Sequence, residues 1–288
     1  MSHAPQHGRK FSRKDVLRAG GLAGLLAVGL PGCDLLSTNP GRRDSGKAAA
    51  KGREAPALAG KVKKGSLPPV KNRLPDKPVV VDAVERTGVY GGDWTTVLQG
   101  SADTAWPNRI LFYDYLLRWD PDWKRMVPNL AERFEANTDG TAYTFTIRRG
   151  IKWSDGEPFT VDDIVFAQND VLNNTELWPV APWPAHAEKV DDLTVRLTLD
   201  KPDGLFLQRQ ATALGMYLVQ HPKHYAMKFH PTYNKDVNAL AKKAELQSWV
   251  DLYAAKTDPY SNPELPVLFA WKFTRPTGTG TRAVAERN

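Results

Sequence analysis

Cysteine is nearly absent from this chain of 288 residues: only Cys33 is present. A single cysteine excludes a disulfide within the chain and the cysteine-rich ligand sets of structural zinc sites. The chain also has no P-loop and no Gly-x-Ser-x-Gly nucleophile motif, and Gly278-Thr279-Gly280 lacks the third glycine of a dinucleotide-binding loop. These absences remove the common signatures of an enzyme and predict no cofactor.

Long apolar runs are missing as well. The apolar stretch from Ala19 to Leu30 follows a basic segment. As a helix of about a dozen residues it would rise about 18 Å, whereas a bilayer core is about 30 Å thick. A basic segment, a short apolar segment and a cleavage site are typical of an export signal. We therefore predict a signal peptide over residues 1–33, and not a membrane span.

The end of this segment predicts a lipid anchor. Residues 30–33 read Leu-Pro-Gly-Cys and resemble a lipobox, in which the thiol of the cysteine accepts a diacylglyceryl group. Cys33 is thus the predicted lipidation site, and it would tether the protein to the membrane. Residues 12–18 also resemble the twin-arginine signature, with Lys14 in place of the second arginine. Both the twin-arginine route and general secretion therefore stay open.

The net charge of +7 is unevenly distributed. Residues 1–78 hold 16 Lys and Arg against 5 Asp and Glu, whereas residues 79–288 hold 23 against 27. The basic excess lies outside the predicted folded body, so we expect no nucleic-acid partner. Residues 34–78 are rich in Gly, Ala, Pro, Lys and Arg, which predicts a disordered linker between the anchor and a body over residues 79–288.

Within the body, short helices and strands alternate. The spacing of apolar residues predicts helices over residues 108–119, 160–172 and 236–256, the second of them capped by Thr160 and Asp163. Alternating patterns predict strands over residues 131–136 and 142–148 around an Asp-Gly turn, and a turn and strand over residues 190–199. We also expect folded structure to begin in a strand near residues 79–81. The predicted class is α+β with mixed sheets.

One stretch resembles a known family. The motifs are Pro-Asn-Leu-Ala-Glu at 128–132, Asp-Gly at 139–140, Tyr-Thr-Phe at 143–145, Gly-Ile-Lys-Trp-Ser-Asp-Gly at 150–156 and Phe-Thr-Val-Asp-Asp-Ile at 159–164. The order of these motifs and the residues in them resemble those of the family 5 extracellular solute-binding proteins of ABC importers for peptides, nickel and related solutes. Weaker agreement extends over residues 79–288.

The resemblance implies a periplasmic binding protein of type II, held at the cell envelope, that binds a small molecule or peptide and meets the permease subunits of an ABC transporter. Members of the family commonly have two lobes and about twice this length. It therefore implies that residues 79–288 form the first lobe only, and an incomplete one. The alternatives are a truncated remnant that binds nothing and a structural envelope lipoprotein.

Acidic residues and histidines cluster in two places, and neither cluster predicts a catalytic or metal site. The spacing of Asp155, Glu157, Asp162 and Asp163 matches neither a glycosidase pair nor a calcium loop, and turn formation and helix capping explain these residues. An envelope hydrolase that uses the acidic run is the remote alternative. The histidines at 221, 224 and 230 lack a His-x-x-x-His pair, so they predict no metal site.

The candidate ligand contacts are aromatic residues and glycines. Tyr90-Gly91-Gly92-Asp93-Trp94 is expected to follow the first strand, where the two glycines let a ligand approach the backbone. Trp271, near the end of the apolar segment 265–273, is the second candidate. Core or rim packing is the alternative for each tryptophan.

Overall fold

The computed structural model describes residues 54–81, 84–86, 88–100 and 102–288. The α-helices are α1 Pro56–Lys63, α2 Ala105–Ile110, α3 Val161–Phe166, α4 Phe206–Gln210, α5 Lys223–Ala226, α6 Val237–Lys243 and α7 Trp249–Thr257. The strands are β1 Leu117–Trp119, β2 Met126–Pro128, β3 Ala131–Ala136, β4 Ala142–Ile147, β5 Ala185–Lys189, β6 Thr194–Leu199, β7 Trp271–Arg275 and β8 Val284–Arg287. Short 3₁₀ helices span Val70–Asn72, Ala213–Leu218 and Met227–Phe229, and a π-helix spans Ala167–Leu172.

An antiparallel sheet in the order β3-β4-β6-β5 forms the centre of the body. On β4 the side chains of Tyr143, Phe145 and Ile147 are buried, while the intervening threonines are partly exposed. This alternation confirms the predicted pair of strands around Asp139-Gly140. Gly140 has φ of +70°, which a residue with a side chain rarely adopts in this turn. The predicted strand near residue 195 is also confirmed as β6.

Side-chain amides of the π-helix and of Asn173, the residue that follows it, cover the outer edge of β5. The amide of Asn169 accepts a hydrogen bond from the N–H of Ala187 at 2.9 Å and donates to the carbonyl of the same residue at 2.8 Å. Asn173 donates to the carbonyl of Ala185 at 2.7 Å. An edge strand with free N–H and C=O groups can pair with other chains. Here these amides take the place of a neighbouring strand.

Two predicted helices differ from the structure. Only the first residues of segment 108–119 are helical: α2 ends at Ile110, and the consecutive buried residues Leu116 and Leu117 lead into β1, which pairs with β2. Segment 236–256 forms two helices, α6 and α7. The chain turns between them at Glu245, with φ of +58°, and the Ser248 side chain accepts from the N–H of Asp251 to begin α7.

The beginning of the described chain also differs from prediction. Residues 79–81 form no strand, and Val80 is 82% exposed. Within the predicted disordered linker, α1 buries Leu58, and the backbone N–H of Asp76 donates to the carbonyl of Arg149 at 3.0 Å. Contacts of this kind with the body give this part of the segment a fixed partner, which its composition did not reveal. Residues 34–53 lie outside the described ranges, as do residues 1–33.

Candidate functional site

Tyr90 and Trp271, two of the predicted ligand contacts, meet at Arg287. Trp271 on β7 lies directly opposite Arg287 on β8, so the two side chains share one face of the hairpin. The guanidinium carbon of Arg287 lies 5.1 Å from the centroid of the Trp271 ring and 5.7 Å from that of the Tyr90 ring. Both distances are within the range of cation–π attraction. We call Tyr90, Trp271 and Arg287 the arginine–aromatic site.

The charge of Arg287 is available to a ligand. Within the described ranges no carboxylate forms an ion pair with Arg287. The neighbouring carboxylate of Glu286 faces the amine of Lys61 instead, at 4.0 Å. Arg287 is exposed, and its guanidinium carries five N–H donors. The site therefore places hydrogen-bond donors beside apolar ring faces. Sequence reasoning missed Arg287; the cross-strand register of β7 and β8 is the signal that locates it.

The rest of segment 90–94 does not join this site. The described residues before it form no strand, and Gly91 and Gly92 have φ of +114° and +77° with open space where a side chain would lie. Glycine adopts these φ values without strain, and no ligand role follows from them. Asp93 is exposed, and Trp94, 66% exposed, contacts Trp106 with 5.0 Å between ring centroids. Trp94 thus belongs to a separate aromatic pair.

The acidic residues have separate partners. Asp155 contacts His224 at 2.8 Å, Asp162 pairs with Lys189 at 3.1 Å, and Asp163 caps α3 by accepting from the N–H of Thr160 at 2.8 Å. Burial raises the pKa of Asp163, and hydrogen bonds from neighbouring N–H groups act in the opposite direction. The predicted capping of α3 is confirmed. In the part of the chain that the structure describes, no three metal-ligating side chains are grouped.

Two of the three histidines at positions 221, 224 and 230 are buried. His221 lies against the hydroxyl of Tyr253 at 3.2 Å, and burial lowers its pKa to about 3. His230 contacts the carbonyl of Asp170 at 3.1 Å, and burial lowers its pKa as well. Neutral, buried imidazoles with these partners are packing residues.

The predicted lipidation site Cys33 lies outside the described residues. Among the helices within the described ranges, none is both long and apolar enough to cross a bilayer.

Residues 125–266 match the family described as "Bacterial extracellular solute-binding proteins, family 5 Middle". A periplasmic alpha-galactoside-binding protein of Rhizobium meliloti is 30% identical over 244 residues, which is 73% of this chain and 32% of that protein. The solved structure of an oligopeptide-binding protein OppA is 36% identical with a TM-score of 0.74, covering 85% of this chain and 39% of that one. The periplasmic binding protein MelB of Agrobacterium fabrum C58, solved with stachyose, is 25% identical with a TM-score of 0.52, covering 83% and 38%.

The fold is therefore that of part of a type II periplasmic binding protein. The match over residues 125–266 confirms the resemblance to family 5 of the bacterial extracellular solute-binding proteins that the sequence motifs predict. Each of the three alignments spans less than two fifths of the relative's own length.

Proposed function

We propose that this chain is the solute-binding component of an ABC importer in the bacterial periplasm. The arginine–aromatic site carries the proposal: the guanidinium carbon of Arg287 lies 5.1 Å from the Trp271 ring centroid and 5.7 Å from that of Tyr90, which places hydrogen-bond donors beside flat apolar faces. Binding requires no bond to be made or broken, so the proposed role is capture and delivery, with the permease subunits of the importer as partner. The relatives are binding proteins, which supports a role other than catalysis.

Two solute classes fit this site. A peptide would place a carboxylate on the guanidinium of Arg287 and an apolar side chain on Trp271. The oligopeptide-binding structure supports this class. An oligosaccharide would stack a sugar ring on Trp271 and bond its hydroxyl groups to Arg287. The alpha-galactoside-binding relative and the stachyose complex support the second class.

The test is isothermal titration of the full chain with two panels, one of di- to tetrapeptides and one of galactosides that includes stachyose. Saturable heat with members of one panel supports the proposal and assigns the class. A chain that unfolds cooperatively and yet gives no heat with either panel contradicts it. That result would favour the alternatives, a remnant that binds nothing or a structural lipoprotein of the envelope.

We further propose export by the signal peptide 1–33 and a lipid anchor at Cys33, followed by a linker over residues 34–78 and a first lobe over residues 79–288. The pattern of basic residues, apolar segment and Leu-Pro-Gly-Cys supports export and lipidation. Expression in bacteria fed a radiolabelled fatty acid tests the anchor. The wild-type chain should carry label in the membrane fraction, and Cys33→Ser should carry none. Equal labelling of the two chains would contradict the anchor.

A further inference from the structure

A cleft beside the hairpin of β1 and β2 shares no residue with the arginine–aromatic site. It has a volume of about 200 Å³, and its walls include Arg109, Tyr113, Arg118, Trp119, Asp120 and Trp123. Aromatic rings and cations thus surround one concave space. Concave sites with flat apolar walls and a few polar groups are typical of small-molecule binding.

Among the described residues, the two arginines of this cleft have no carboxylate in direct contact. Within the described ranges neither Arg109 nor Arg118 forms an ion pair with a carboxylate; Arg118 lies over the ring of Tyr113, 6.0 Å from its centroid. The carboxylate of Asp120 accepts hydrogen bonds from the backbone N–H groups of Lys124 at 2.7 Å and Arg125 at 3.2 Å, so it holds the loop. Two arginines therefore line the cleft without a carboxylate of the described chain within ion-pair distance, and guanidinium groups are strong donors to carboxylates.

Trp123 gives the cleft an unusual wall. Its backbone has φ of +57°, a region that bulky residues seldom adopt, and its side chain is 68% exposed. Its ring lies nearly parallel to that of Trp119, at 18° and 6.1 Å between centroids. Because the side chain is mostly exposed, the free energy gained by burying it cannot offset the cost of this backbone conformation. Strained backbone of this kind is concentrated at binding sites.

We propose that this cleft binds a small organic anion with a flat ring, of the aromatic carboxylate class. The carboxylate would lie between the guanidinium groups of Arg109 and Arg118, and the ring would stack on Trp123 and Trp119. The small volume of the cleft and the presence of two arginines in its wall favour such a ligand over a protein surface, for which exposed Trp123 alone would be the attraction.

The experiment is isothermal titration of the full chain with phenylacetate and with phenylacetamide, its neutral analogue of the same shape. Phenylacetate should bind with at least tenfold higher affinity than the amide. Arg118→Gln and Arg109→Gln should each weaken its binding about fivefold or more. Trp123→Gly should weaken it similarly while leaving the melting temperature equal or higher, because glycine adopts positive φ without strain.

Arg196→Gln is the matched control. It removes the same charge from an exposed position on β6 and should leave the affinity unchanged. Equal affinity for acid and amide, no binding at millimolar concentration, or full binding by Trp123→Gly would each overturn the proposal. These outcomes are independent of titrations with peptides and galactosides, which report on the arginine–aromatic site.

Discussion

The backbone N–H of Lys223 donates a hydrogen bond to the carboxylate of Asp163 at 2.8 Å. The other oxygen of the same carboxylate accepts from the N–H of Thr160 at 2.8 Å. One side chain therefore satisfies donors at the beginning of α3 and at the beginning of α5, sixty residues later. A capping residue expected to act locally thus also joins two distant elements.

Replacement of this carboxylate should destabilise the fold. Asp163→Asn keeps the shape but leaves one acceptor for two N–H donors and turns an amide donor toward the other. We expect the free energy of unfolding to fall by about 1–3 kcal/mol, measured by urea denaturation. Asp162→Asn is the control, since Asp162 is exposed and pairs only at the surface; it should cost less than about 0.5 kcal/mol. Equal losses for the two variants would show that Asp163 does not join the helices.

Buried His221 should make stability dependent on pH. Its pKa is about 3 in the folded chain because of burial, against an ordinary value of 6.5. As pH falls from 6.5 toward 3, the unfolded chain binds a proton that the folded chain does not, so stability is lost at up to about 1.4 kcal/mol per pH unit. Chemical denaturation between pH 7 and pH 4.5 should therefore show a shallower loss for His221→Gln than for the wild type.

His230 also makes the folded chain less stable as pH falls, because burial lowers its pKa too. This pH dependence remains in the His221→Gln variant. Tyr253, the titratable neighbour of His221, has its pKa raised by burial and does not titrate in this range. His186→Gln, at an exposed position of β5, is the control and should keep the slope of the wild type. An unchanged slope in His221→Gln would contradict the assignment.

Gly215 should tolerate no side chain. A Cβ atom there would overlap the carbonyl oxygen of Gln210 and lie 2.9 Å from its carbonyl carbon. Because both contacts are with backbone, the chain must shift, and Gly215→Ala should cost about 1–3 kcal/mol. Gly204→Ala, where no atom lies within 4 Å, should change stability by less than about 0.5 kcal/mol. Thermal melts of the two variants provide the comparison, and equal melting temperatures would refute the close approach.

The sequence predicts those parts of the fold that depend on local pattern. Strands β3 and β4 follow from alternation around an Asp-Gly turn, and the start of α3 follows from Thr160 and Asp163. The break at Glu245 has no such signal, because neither glycine nor proline marks it. The single predicted helix over residues 236–256 was therefore wrong.

The candidate site was partly predictable for the same reason. Aromatic residues in the sequence predict ligand contacts one at a time, and this level of information identifies Tyr90 and Trp271. Their meeting at Arg287 depends on the pairing of β7 with β8 and on the path of the chain after residue 88, which no local pattern specifies. Trp94 was selected on the same grounds and pairs with Trp106 instead.

The central claim is that the arginine–aromatic site binds a solute. Titration of the wild type, Trp271→Ala and Arg287→Gln with the same peptide and galactoside panels tests it most directly. We predict saturable heat for the wild type with one panel, and a loss of at least tenfold in affinity for each variant at an unchanged melting temperature. Undiminished affinity in both variants, or no heat from the folded wild type, would contradict the claim.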